Sequence, residues 1–88
     1  MAHPLKGKAV FIQTVTLYFT GKVVKVTKND YVLTKAAWAA DTGRFSNAME
    51  TGELNEVEPY GKDQEVRVNR GGIIAVSMWK HPLPEKQK

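Results

Sequence analysis

The stretch Val15-Thr16-Leu17-Tyr18-Phe19-Thr20-Gly21-Lys22-Val23-Val24-Lys25-Val26 decides how this chain folds. Val15, Leu17 and Phe19 alternate with Thr16, Tyr18 and Thr20, which is the period of two expected of a strand. Beyond Gly21 the apolar positions become Val24 and Val26 with Lys25 between them, so the inward parity has changed and one residue must be absorbed. Gly21 is the natural place, either as a bulge that bends one long strand or as part of a Thr20-Gly21 turn between two strands. A strongly bent strand lets a small barrel close without leaving long open edges.

Outward from that stretch, residues 9 to 37 read as a β-meander. Lys28-Asn29-Asp30 supplies turn chemistry and Tyr31-Val32-Leu33-Thr34 resumes the strand. Near the C-terminus, Val66-Arg67-Val68-Asn69 and the run from Ile73 to Trp79 read as two strands joined by a sharp turn at Arg70-Gly71-Gly72. That turn presents a guanidinium, and positive φ at its glycines would explain them without a ligand. Between these regions the β pattern breaks. Ala36 to Ala40 is helix-compatible, Asp41 or Thr42 is placed to cap a helix start, and Phe45 to Glu50 suits about two turns ending at Gly52. Residues 38–59 therefore read as an insertion between strands three and four, followed by a Tyr60-Gly61-Lys62-Asp63 turn. Residues 1–8 and 81–88 read as extended or frayed tails, broken by Pro4 and Gly7 at one end and by Pro82 and Pro84 at the other.

A chain of 88 residues is one domain, 1–88, with room for one modest core but not for two. Hydrophobic residues at 42% and charged residues at 25% are ordinary for a globular protein and argue against disorder. Cysteine is absent, which excludes a disulfide framework and a thiolate metal site, and no cofactor is implied. His3 and His81 lie near opposite termini, and no phosphate-loop or nucleophile-elbow pattern occurs, so neither catalytic nor metal-ligating residues are expected. No apolar stretch reaches the roughly 18 residues of a membrane span, and residues 1–8 lack a signal-peptide core, so the expected compartment is the cytoplasm. The net charge of +4 is unevenly spread. Lysines 6, 8, 22, 25, 28 and 35 face only Asp30 in the first 35 residues, whereas Glu50, Glu53, Glu56, Glu58, Asp63 and Glu65 face only Lys62 in residues 50–65. A basic face for a polyanion is one reading, and solvated charge is the other.

A bent strand at Thr20-Gly21-Lys22-Val23-Val24-Lys25-Val26, a polar turn at Lys28-Asn29-Asp30, a strand at Tyr31-Val32-Leu33, and a late Arg70-Gly71 followed by Ile73-Ile74-Ala75-Val76 resemble the Sm-like family, which includes the Sm and LSm proteins and bacterial Hfq. The resemblance implies an all-β fold, here with one short helical insertion. That fold is a small, strongly bent five-stranded Sm-like or SH3-like barrel that assembles into a homo-oligomeric ring of about five to seven subunits. It implies a non-catalytic ring binding single-stranded RNA through Asn29, Asp30 and Tyr31 in the first turn and Arg70 and Gly71 in the second. In that role Tyr31 would stack on a base, Asn29 would bond a base edge, and Arg70 would stack or contact phosphate. Departures from the family pattern are the little room left for an N-terminal helix by Pro4 and Gly7, a polar turn whose family acid corresponds to Thr27, Asn29 or Asp30, Asn69 where an apolar residue is usual, and the long segment from Trp38 to Pro59. Small Sm-like proteins also occur in viruses of bacteria, a setting that suits this divergent pattern.

Edges argue for self-association separately. The run from Ile73 to Trp79 has Ser77 as its sole polar residue, and an unprotected strand edge of that composition invites pairing with another copy. Other roles for the same residues stay open. Arg70 either meets a ligand or pairs with an acid of residues 50–65, Tyr31 either stacks or is a half-buried strand aromatic, and Trp38 and Trp79 suit a core or an interface. A ring or small barrel that binds protein rather than RNA would use Trp38, Arg44, Phe45 and Met49. A remote alternative is a homodimeric protease, since Asp41-Thr42-Gly43 resembles the active-site turn of aspartic proteases, although Arg44 would bring a cation beside the dyad.

Overall fold

The computed structural model describes residues 3–88. Six strands follow the alternating segments: β1 (Ala9–Thr14), β2 (Tyr18–Val26), β3 (Asp30–Asp41), β4 (Glu56–Pro59), β5 (Val66–Asn69) and β6 (Ile73–Met78). One helix, α1 (Phe45–Thr51), separates β3 from β4, and a 3-10 turn at Arg70–Gly72 joins β5 to β6. Neighbouring strands are antiparallel in the order β4-β3-β2-β1-β6. The twelve-residue β3 is long enough to serve two partners on one edge, β5 against Asp30 to Leu33 and β4 against Ala37 to Asp41.

Two expectations from sequence are corrected here. The strands number six rather than five, because Glu56–Pro59 is itself a strand of the sheet. Ala36 to Ala40 is strand, not helix, so the excursion between long strands begins only after Asp41. Alanine's helix propensity is a weak preference, and here it yields to the ladder offered by β2, where Thr20, Phe19 and Tyr18 pair with Ala37, Trp38 and Ala39. The helix itself matches its sequence signals, ending at Gly52 with φ 80°. Its start does not, since Arg44 is the N-cap and makes no side-chain cap bond.

Of the two readings at Gly21, the turn is excluded, because β2 runs unbroken from Tyr18 to Val26 as a bulged strand, but the extra residues lie elsewhere. The β2–β3 register shifts between Thr20 and Lys22, and across that step Gly21 faces two residues of β3, Lys35 and Ala36. Lys35 is the residue that bulges, with φ 51°. A second shift, between Val23 and Lys25, leaves Val24 unpaired in β2. This second shift changes the parity: Phe19 and Val23 pack with the same cluster as Val26, two in odd and one in even register. Gly21 is required for a different reason. A Cβ there would lie 3.0 Å from Leu33 Cβ and 3.3 Å from Ala36 Cα, so the missing side chain lets the two bent strands close on each other.

Bending gives the sheet two buried faces, and both carry cores, where the length alone suggested one. Val10, Ile12, Val23, Tyr31, Leu33, Ala36 and Val68 form the first, with Val66 of β5 and Ile73 and Val76 of β6 packed against them. Phe11, Ala37, Ala39, Ala48, Leu54, Val57 and Trp79 form the second, roofed by α1 and the C-terminal residues. An aromatic row runs through it, with Phe11 stacked on Tyr18 (5.5 Å) and on Trp79 (5.7 Å), and His81 edge-on to Trp79 (5.0 Å). Thr20, paired with Phe11 and Ala37, faces this second core at 1% exposure, and its hydroxyl finds no partner there. Replacing that hydroxyl by a methyl removes an unmet polar group, so Thr20→Val is expected to raise stability by about 1 kcal/mol in urea unfolding. An unchanged or lower midpoint would show that the hydroxyl is satisfied in solution.

The terminal segments are tied to these cores. Leu5 packs against the first core, and Gly7 N–H donates to Val23 O at 2.7 Å. At the other end, the Trp79 indole donates to Pro82 O (3.2 Å), His81 Nε2 donates to Met49 O (2.7 Å), and Leu83 joins the second core. Lys88 and Val57 exchange two backbone hydrogen bonds, 2.8 and 3.0 Å, so the last residue covers the outer edge of β4. Residues 81–88 are thus extended but docked, a strap rather than a frayed end.

Candidate nucleic-acid interface

The β2–β3 turn is built by Thr27. Its Oγ1 accepts the N–H groups of Asp30 (2.9 Å) and Asn29 (3.3 Å), while its own N–H donates to Asp30 O (2.9 Å). The turn between β5 and β6 is built by Asn69, whose Oδ1 accepts Gly71 N–H at 2.8 Å. This gives Asn69 a local purpose that its polarity alone did not suggest. Neither Gly71 nor Gly72 has positive φ, so their backbone conformation does not demand glycine.

Pairing of β3 with β5 brings the two turns together. Asp30 lies opposite Asn69 and Tyr31 opposite Val68. Arg70 N–H donates to Asn29 O at 2.7 Å, and its guanidinium Nη1 donates to Thr27 O at 2.9 Å. The same guanidinium lies 5.0 Å above the centroid of the Tyr31 ring, and His3 meets that ring edge-on at 5.6 Å. Tyr31 is 8% exposed and belongs to the first core. The structure thus makes Tyr31 the support on which Arg70 rests, not an open platform for a base. Arg70 pairs with no acid of residues 50–65. The single ion pair among the described residues is Arg67 with Asp30 at 3.8 Å, a surface bridge of small energetic weight.

Around the joined turns runs an open groove lined by Lys6, Lys25, Lys28 and Arg70, with His3 and Thr27 between them. No carboxylate lines it. Four cations around one concavity give a field that concentrates polyanions, and the Arg70 guanidinium, backed by an aromatic ring, keeps its outer face free for phosphate or a base. Sequence reading identified Asn29, Asp30, Arg70 and Gly71 as the turn residues, and these are adjacent. It gave no hydrogen-bonding role to Thr27, whose hydroxyl three residues before Asp30 is a turn signal, and it missed His3; His3 and Lys6, the latter counted only among the basic residues, reach the groove because the N-terminal segment folds back onto β2.

The alternative contact set divides. Arg44, Phe45 and Met49 share α1 or its cap, with Phe45 48% exposed and its ring 6.0 Å from Phe11. Trp38 alternates with Ala37 and Ala39 along β3 and therefore sits on the opposite sheet face from α1. Asp41 is exposed, and its Oδ1 accepts Gly43 N–H at 2.8 Å, which makes it a turn former and not a helix cap. Among the described residues no cluster of potential metal ligands occurs, and no helix is long and apolar enough to cross a membrane.

Fold and site together define a small, mostly β domain with a bent six-stranded antiparallel sheet, one helix and a cationic groove formed by two turns. No family model, curated protein or solved structure matches the chain.

Proposed function

We propose that this chain is an Sm-like module that assembles edge to edge into a homo-oligomeric ring and binds single-stranded RNA at its two joined turns, through Asn29, Asp30, Arg70 and Gly71, with the cationic groove that Arg70 shares alongside them. The observation that carries the proposal is the Arg70–Asn29 hydrogen bond, which fuses two turns far apart in sequence into one surface lined by Lys6, Lys25 and Lys28. Support for the ring comes from the edges. Both β5 and β6 pair on one side only, and β6 carries Ile74 and Met78 at 61% and 45% exposure. Because Tyr31 lies beneath Arg70, the guanidinium and the lysines would carry the contact and base identity would matter little.

Fluorescence anisotropy with a short labelled single-stranded RNA tests the reading. Affinity is expected to fall with salt at a log–log slope of about −0.7 per neutralised phosphate. Arg70→Ala and the fully surface-borne Lys28→Ala are each expected to weaken binding and flatten that slope by roughly one contact. Absence of binding at about 50 mM salt would overturn the RNA reading. Native mass spectrometry of nuclease-treated protein reads the assembly directly, and a monomer at micromolar concentration would overturn the ring. The exposed Phe45 beside Arg44 favours protein binding as the second reading, to which a ring without RNA affinity would point.

A further inference from the structure

A cleft of about 320 Å³ lies on the other side of the bend, between the β3 bulge, the β4–β5 turn and the C-terminal strap. Ala36, Pro59, Leu83 and Pro84 supply buried or half-buried apolar lining, and the exposed Lys35 and Lys62 stand at its rim. Neither lysine forms an ion pair among the described residues, although Glu85 also lines the cleft. Lys35 has φ 51°, a left-handed conformation that glycine or asparagine would adopt at least cost. A bulge by itself would be served better by glycine. A strained position that keeps a long cationic side chain beside a cleft is a feature of ligand sites.

We propose that this cleft binds a small apolar monocarboxylate, its body against Ala36, Pro59, Leu83 and Pro84 and its carboxylate between Lys35 and Lys62. The volume sits at the small end of ligand pockets, about 300–1,000 Å³, and suits a single ring or short aliphatic chain. Glu85 selects for one negative charge, because a dianion held between the lysines would be repelled by its carboxylate. The site is separate from the groove at Arg70 and does not depend on RNA binding.

The test is an NMR titration of the whole chain with phenylacetate, using phenylacetamide as the uncharged control. Phenylacetate is expected to shift the amides of Ala36, Gly61 and Leu83 saturably, with a Kd of about 1 mM or below, and phenylacetamide to leave them unmoved. Lys35→Gly removes the cation while relieving the backbone strain, so the variant is expected to stay folded, and it should weaken binding at least about threefold, as should Lys62→Met. Glu85→Gln should tighten binding. Equal response to the amide, unchanged affinity in both lysine variants, or no saturable shift would each overturn the proposal.

Discussion

Phe11→Ala is expected to remove about 3–5 kcal/mol of folding stability, the largest loss among the substitutions considered. Phe11 is 2% exposed at the centre of the second core, in parallel contact with Tyr18 and Trp79 and edge-on to Phe45. Truncation would take away buried ring area and leave a cavity between the sheet and α1 that the strands, held by ladders on both sides, cannot collapse to fill. A domain of 88 residues has a total stability of roughly 5–15 kcal/mol, so about a fifth or more would go. Urea unfolding measures the loss through its midpoint, with Phe45→Ala as the half-exposed comparison expected to cost far less. A loss below about 1.5 kcal/mol for Phe11→Ala would mean that α1 and the strap add little to the fold.

Gly21→Val carries the second large effect, and its sign separates sequence preference from tertiary constraint. In a solvent-facing strand, valine is favoured over glycine by up to about 1 kcal/mol. Here the added Cβ would meet Leu33 Cβ at 3.0 Å, Leu33 Cδ1 at 3.2 Å and Ala36 Cα at 3.3 Å. Leu33 Cδ1 can turn aside, but Leu33 Cβ and Ala36 Cα are set by the backbone of a strand paired on both edges, so β2 and β3 must separate at their shared bend. The expected cost is about 3 kcal/mol, with Gly21→Ala losing about half as much. Thermal melting of the three proteins should rank glycine above alanine above valine. The reverse order would show that the bend has slack and that the close approach at Gly21 does not hold it.

Local signals were the legible part of the fold. Asn29 and Asp30 turn the chain because their neighbours, Thr27 above all, bond within four residues, and Gly52 ends a helix because its own φ can be positive. The candidate site was half legible for the same reason. Each turn could be found from its own residues, but the donation from Arg70 to Thr27 O spans 43 positions and leaves no local mark. The positions of His3 and Lys6 depend on a backbone bond from Gly7 to Val23, and the burial of Tyr31 depends on the arrival of β5.

The sequence by itself determined that this chain is mostly β, that the strand pattern changes parity near Gly21, and that a cation stands in the turn before β6, because alternation, glycine and turn chemistry act over a few residues. Only the tertiary structure decided that Ala36 to Ala40 is strand, that Lys35 and Val24 rather than Gly21 are the extra residues, and that α1 and the C-terminal strap build a second core. Those outcomes follow from which strands meet. Pairing register and burial are set by distant partners whose combined contacts outweigh the fraction of a kilocalorie that any single residue's preference contributes.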